Sequence, residues 1–207
     1  LEPTDTFPRF LLEGLIGHPY PKTEPLVESL ILRLIQLLHC QYEALRNHDI
    51  GYVLNEGIKQ KENGAHVLDV NVGLPEIDEP KLLTECVEEL QSVISLPLQI
   101  DTTNISAMES ALRVYNGKAM INSVNGKEEV MNEVFPLAKK YGGLVVCLTL
   151  DEDGIPDTAE KRIEIAEKII KRAKDFGIDK KDLIFDPLAM AISSDSSQAL
   201  VTLKTKK

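Results

Sequence analysis

The stretch His66-Val67-Leu68-Asp69-Val70-Asn71-Val72 sets β-branched and aliphatic residues beside a carboxylate and an amide, and it recurs in kind along the chain. Leu96 to Ile100, Lys118 to Ile121, Leu144 to Leu150 and Leu183 to Phe185 are short apolar runs of the same sort. Polar clusters follow them: Asp101 to Asn104, Asn122 to Asn125, Thr149 to Glu152, and Asp186. Runs this short, bounded by turn residues, predict buried strands. Strands that release carboxylates and amides at their C-terminal ends are how a β/α barrel assembles a site.

Working outward from these runs, the intervening segments read as helices. Ile50 to Glu62 has Asp49 placed as its cap and Asn63-Gly64 as its left-handed exit. Asp78 caps the next, with Pro80 in the first turn and Leu82, Leu83, Val87, Leu90 and Val93 at helical spacing. Ile105 to Tyr115 stops near Asn116-Gly117, and Glu128 to Tyr141 stops at Gly142-Gly143. Thr158 caps Ala159 to Phe176, whose predicted apolar stripe is Ile163, Ile165, Ala166, Ile169, Ile170 and Ala173. A further helix begins at Ser197 to Leu203. Strands separated by helices pair in parallel through right-handed crossovers. The fold class is therefore α/β, and periodicity leaves open whether the sheet closes toward a barrel or stays flat and doubly wound. No Gly-x-Gly-x-x-Gly turn marks a dinucleotide fold.

The N-terminal stretch differs. Leu1 to Thr23 is rich in Pro and Gly, and Pro25 to about Arg46 predicts one amphipathic helix with Leu26, Leu30, Ile31, Leu34, Leu37 and Leu38 on its apolar side. Nothing in it carries chemistry, and a packing or dimerising role is expected.

Bulk properties exclude several functions. The 207 residues fit one domain with a sizeable core. A formal net charge of −10 with 5% aromatic content argues against nucleic-acid binding, which needs clustered Lys and Arg. Cys40, Cys86 and Cys147 and the four histidines have no metal-ligand spacing, so no metal is expected, and Cys86 and Cys147 are predicted as buried thiols. The most apolar stretch, Leu26 to Leu38, is interrupted by Arg33 and Gln36 and falls short of the roughly 20 residues a membrane span needs. No signal peptide opens the chain, so a cytoplasmic protein is expected.

If the strands are parallel neighbours, the carboxylates of Asp69, Asp101, Asp151 and Asp186, the amides of Asn71, Asn104, Asn122 and Asn125, and the hydroxyls of Thr102, Thr103 and Ser123 converge on one rim. Such a rim has many acceptors, few cations and no nucleophile paired with a base. It suits a heterocycle bearing several N–H groups, because a carboxylate accepts two parallel hydrogen bonds from an amino-pyrimidine edge. An amide meets a carbonyl and a ring N–H together. A pterin presents that mixture. Asp151-Glu152-Asp153-Gly154 reads instead as a solvated turn.

Gly64-Ala65-His66-Val67-Leu68-Asp69-Val70-Asn71-Val72-Gly73, Gln99-Ile100-Asp101-Thr102-Thr103-Asn104, Ala119-Met120-Ile121-Asn122-Ser123-Val124-Asn125 and Phe185-Asp186-Pro187-Leu188 occur in that order. This succession resembles the pterin-binding domain of folate-dependent corrinoid methyltransferases. That group includes the methyltetrahydrofolate-binding module of cobalamin-dependent methionine synthase, of homocysteine S-methyltransferase type. The resemblance covers roughly Glu43 to Thr205, leaving residues 1–42 as a non-family segment and 43–207 as the pterin-binding domain. It implies a (β/α)8 TIM barrel of the dihydropteroate synthase-like type, here partial, with about five parallel strands and an extra N-terminal helix. It implies that Asp101, Asn122 and Asp186 hold the pterin ring of 5-methyltetrahydrofolate, with Asp69 and Asn71 at the same rim. It also implies that the N5-methyl group passes to the cobalt of a corrinoid (cobalamin) carried on a separate domain or protein. No residue is assigned a covalent catalytic role.

Two departures from the family shape the expectations. The Gly-Glu-Arg-Ile-Asn-like first strand is replaced by the Leu26 to Tyr42 helix, and the chain stops before the seventh-strand amide that lies near N5 in the family. The expectations are thus a barrel truncated at both ends, homo-oligomerisation to cover its edges, and weak methyl transfer. Two alternatives stand beside this reading: a non-catalytic fragment that self-associates, and a dihydropteroate synthase-like enzyme. The second lacks its Ser-Arg-Lys-like motif here.

Overall fold

The computed structural model describes residues 40–189 and 198–206. The chain divides into two compact units, residues 1–43 and 44–207. Of the predicted Pro25 to Arg46 helix, residues 40–46 are described and are helical, and the remainder lies outside the described residues.

In the second unit the elements run α1 (Ile50–Glu62), β1 (Leu68–Val70), α2 (Glu79–Val93), β2 (Leu98–Asp101), α3 (Ile105–Val114), β3 (Met120–Asn125), α4 (Glu128–Tyr141), β4 (Leu144–Leu148) and α5 (Ala159–Asp175). A short 3-10 turn, Lys180–Asp182, leads into β5 (Leu183–Asp186), and α6 (Gln198–Thr205) follows. The predicted caps explain where the helices start. The Asp49 carboxylate accepts from the Tyr52 N–H at 3.0 Å, Asp78 from Lys81 at 3.3 Å and Thr158 from Lys161 at 3.4 Å. Each such cap contributes on the order of 1 kcal/mol. Gly142 and Gly177, both with φ of 71°, supply the left-handed residues that end α4 and α5.

The five strands are all parallel and lie in the order β1-β2-β3-β4-β5. Sequence periodicity left barrel and doubly wound sheet undecided, and strand order decides between them. A doubly wound sheet reverses direction at a switch point, whereas here each strand adds beside the last, as in a barrel wall. Successive helices α1 to α6 also pack each against the next. Leu68, Val70, Leu98, Ile100, Ile121 and Val145 point into the helix layer and are buried there against Leu83, Val87, Met131, Phe135 and Ile169. Cys86 and Cys147 belong to the same core, and burial pushes both thiols up to about 12, so they remain protonated.

Three details differ from the sequence reading. β3 runs on through Asn125, past the expected end at Ile121, so Asn122 and Asn125 lie inside a strand and not in a loop. β1 covers only Leu68–Val70, the middle of the His66 to Val72 run, so Asn71 lies just past its end. On α5, Ile163 and Ile170 are exposed (40% and 37%), and the buried positions are Ala159, Arg162, Ile165, Ile169 and Ala173. The helix is turned so that an arginine joins the inward stripe, a placement paid for by the hydrogen bonds described below.

Candidate functional site

Parallel pairing puts register partners on the same face, and here Asp69 partners Gln99 while Asp101 partners Asn122. Asn122 in turn partners Val146, and Leu148 partners Asp186. With period two, this face carries Asp69, Asn71, Gln99, Asp101, Asn122 and Asp186 over a floor of Met120, Leu144, Val146, Leu148 and Ile184. It is the face opposite the helices, and most of its side chains are half-buried or exposed. The register shifts between Asn122 and Val124, where the Asn122–Ser123 peptide is cis. The extra residue lets Val124 pair with the buried Cys147 and Asn125 with Leu148, so both asparagines stay on the open side.

The acids are tied together through amides. Asn71 donates its Nδ2–H to Asp101 Oδ2 at 2.9 Å, and its Oδ1 accepts the Gly73 N–H at 2.9 Å. Gln99 donates to Asp69 Oδ1 at 2.6 Å. Asp186 Oδ1 accepts the Leu188 N–H at 2.8 Å. Among the described residues no hydrogen bond engages the second oxygen of Asp101 or Asp186 or the Asn122 carboxamide, and no ion pair reaches Asp69, Asp101 or Asp186. Desolvation on the sheet face holds the Asp69 carboxyl above its usual range. The Gln99 hydrogen bond opposes that shift, and the nearby Asp101 charge adds to it.

The structure thus brings all five predicted residues to one face. Asp69, Asp101 and Asn122 lie on adjacent strands, with Asn71 just past the end of β1. Asp186 lies further round, roughly 10 Å across two strand spacings from β3. Other polar residues at the strand ends are engaged in local hydrogen bonds. Asn104 caps α3 by accepting from the Ser106 and Ala107 N–H groups, Asn125 accepts from Lys127, and the buried Thr102 hydroxyl donates to Glu79. Asp151 closes its turn with Asp153 and Gly154. The groove between α2 and α3, lined by Lys81, Glu85, Glu88 and Arg113 among others, is on the helix side and touches none of the five. Two residues were missed. Gln99 was legible from the alternation Leu98-Gln99-Ile100-Asp101, whereas no hydropathy signal marked Arg162 as inward-facing. Among the described residues no group of His, Cys, Asp and Glu could hold a metal ion, and no helix is long and apolar enough to cross a membrane.

Comparison with known proteins adds to this geometry. A family model described as pterin binding enzyme matches residues 41–205. Methionine synthase of Mycobacterium tuberculosis is 29% identical over 163 residues, spanning 76% of this chain and 14% of that protein. Methylcorrinoid:tetrahydrofolate methyltransferase of Eubacterium limosum is 28% identical over 161 residues, 76% of this chain and 59% of that protein. The chain therefore spans only part of the curated relatives it matches. Dihydropteroate synthase from Xanthomonas albilineans, in complex with 7,8-dihydropteroate, superimposes with a TM-score of 0.57 at 22% identity, over 72% of this chain and 57% of that one. That likeness establishes the fold, an α/β arrangement of the dihydropteroate synthase barrel type.

Proposed function

We propose, since this chain belongs to the pterin binding enzyme family, that its open sheet face holds the pterin ring of 5-methyltetrahydrofolate. The single observation that carries the reading is the pairing of Asp101 with Asn122 on adjacent strands, with no cation bound to either among the described residues. Asn71 holds one oxygen of Asp101 and leaves the other to accept amino and ring N–H groups of the pterin. Asn122 presents both a donor and an acceptor, enough to read a carbonyl and a ring N–H side by side. Asp186 supplies a further acceptor, and Asp69 and Asn71 support the same face. Met120, Val146 and Leu148 give a flat ring an aliphatic floor.

The reading goes on to a function: the folate-binding domain of a methyltransferase that moves the N5-methyl group to a corrinoid cobalt. The methyltransferase relatives support it. The corrinoid is supplied by another domain or protein. This chain's residues bind and orient the methyl donor, which is catalysis by positioning and not by covalent attack. A domain boundary near residue 42 belongs to the same proposal.

A second reading, self-association, is favoured by a separate observation. β1 and β5 are sheet edges among the described residues, and Ile184 on the open face is 39% exposed. Light scattering that returned a sharp monomer mass would remove it.

Calorimetric titration with 5-methyltetrahydrofolate tests the main reading. Asp101→Ala is expected to weaken binding on the order of 10- to 100-fold, the usual range for a hydrogen bond to a charged group. Equal affinity of the variant and the wild type would sink it.

A further inference from the structure

We propose that Arg162 is a positioning residue that braces the loop after β5 and so aims the Asp186 carboxylate; this rests on the reading of Asp186 as a pterin-holding residue. Arg162 is fully buried at 0% exposure. A buried guanidinium is ordinarily compensated by a carboxylate. Among the described residues this one has none, and every hydrogen bond it makes goes to a neutral oxygen. Nε–H donates to Pro156 O at 2.8 Å, and Nη2–H to Gln198 Oε1 at 2.8 Å. The two Nη1 hydrogens donate to Pro187 O at 2.7 Å and Leu188 O at 2.8 Å, with Thr202 Oγ1 a longer 3.3 Å away. Pro156 follows β4, Pro187 and Leu188 follow β5, and Gln198 and Thr202 are on α6. One side chain therefore ties together the segments after two strands and the last helix.

The consequence reaches the open face through Leu188. This residue has φ of 58°, a left-handed conformation that a leucine adopts only when its surroundings hold it there. Its carbonyl is held twice, by Arg162 Nη1 and by the Thr202 hydroxyl at 2.9 Å. Held so, Leu188 turns its own N–H back onto Asp186 Oδ1 at 2.8 Å. That bond orients the carboxylate and leaves Oδ2 as the acceptor offered outward. Lysine cannot stand in for arginine here. A single ammonium has three donors at one point, whereas the planar fork reaches carbonyls on three sides at once.

The test uses the 207-residue chain as wild type and as the single variants Arg162→Lys, Thr202→Val and Asp186→Ala, together with the double variants Arg162→Lys/Asp186→Ala and Thr202→Val/Asp186→Ala. Hydrogen exchange at the Leu188 amide and calorimetric affinity for 5-methyltetrahydrofolate are both measured. In Arg162→Lys the Leu188 amide is expected to exchange at least about tenfold faster while the Ile100 amide in the core is unchanged. Affinity is expected to fall about tenfold, and that loss is expected to vanish in the Asp186→Ala background, because both changes act through one carboxylate. An equal loss in both backgrounds, or unchanged Leu188 exchange, overturns the inference. If Arg162→Lys does not fold, Thr202→Val takes its place, since it removes the second bond on the Leu188 carbonyl and carries the same two expectations. A wild type that does not bind the folate overturns the proposed function instead, and Leu188 exchange then decides the bracing on its own.

Discussion

The two faces of the sheet are built from alternate residues of the same strands, yet they do opposite work. Toward the helices, Leu68, Val70, Leu98, Ile100, Ile121 and Val145 are all at least 96% buried. Each such side chain stabilises the fold by about 1.5–3 kcal/mol on burial. On the other face Asp69, Asn71, Gln99, Asp101 and Asn122 stay in reach of water, so their polar atoms avoid the desolvation cost a closed core would impose. A slip of one residue in register would exchange the two sets, burying acids and exposing the core. Stability and binding can therefore be separated one residue at a time.

Ile100 and Asp101 are the sharpest place to try, being neighbours on β2 with opposite faces. Ile100→Ala is expected to cost about 2–5 kcal/mol of stability in urea unfolding, from lost burial and the cavity left behind. Asp101→Ala beside it is expected to leave the unfolding midpoint nearly unchanged while affinity falls. If both variants lost stability alike, the division of labour between the faces would be wrong. Asn122→Ala probes the open face again. It is expected to weaken folate binding roughly 3- to 10-fold, a neutral hydrogen-bond loss, with stability within about 0.5 kcal/mol of wild type.

The smallest effect concerns Asp69. Its carboxyl is raised above the ordinary value when folded, so the folded state holds this proton more tightly than the unfolded chain does. Its contribution favours folding at low pH and is lost as pH rises through the raised value. Asp69→Asn keeps an oxygen for the Gln99 N–H and removes the charge. The variant is expected to be more stable than wild type at pH 7, by less than about 1 kcal/mol given the screening of an exposed group. The difference should shrink as pH falls toward the usual carboxylate range. A gain that persisted unchanged in acid would mean the charge is not its source.

Much of this was legible in the chain itself. The helices were set by local chemistry, Asp49, Asp78 and Thr158 at their starts and Gly142 and Gly177 at their ends, because a cap satisfies N–H groups only a few residues away. The five proposed pterin-holding residues stood out because each broke or ended an apolar run. Asn122 and Asn125 were nevertheless placed in a trailing loop. Reading the runs as uniformly buried hid the alternation that marks a strand with one open face. Arg162 escaped because hydropathy counts a guanidinium as surface, whatever acceptors wait for it inside.

The order of residues alone determined where chain segments coil or extend, and which of them bear acids and amides, since those properties depend on neighbours close in sequence. Tertiary structure alone decided that the strands add in one direction, that a register shift keeps Asn122 and Asn125 on one side, and that Arg162 turns inward to grip Pro187 and Leu188. These depend on hydrogen bonds between groups distant in the chain, and no local propensity encodes which partner a carbonyl will meet.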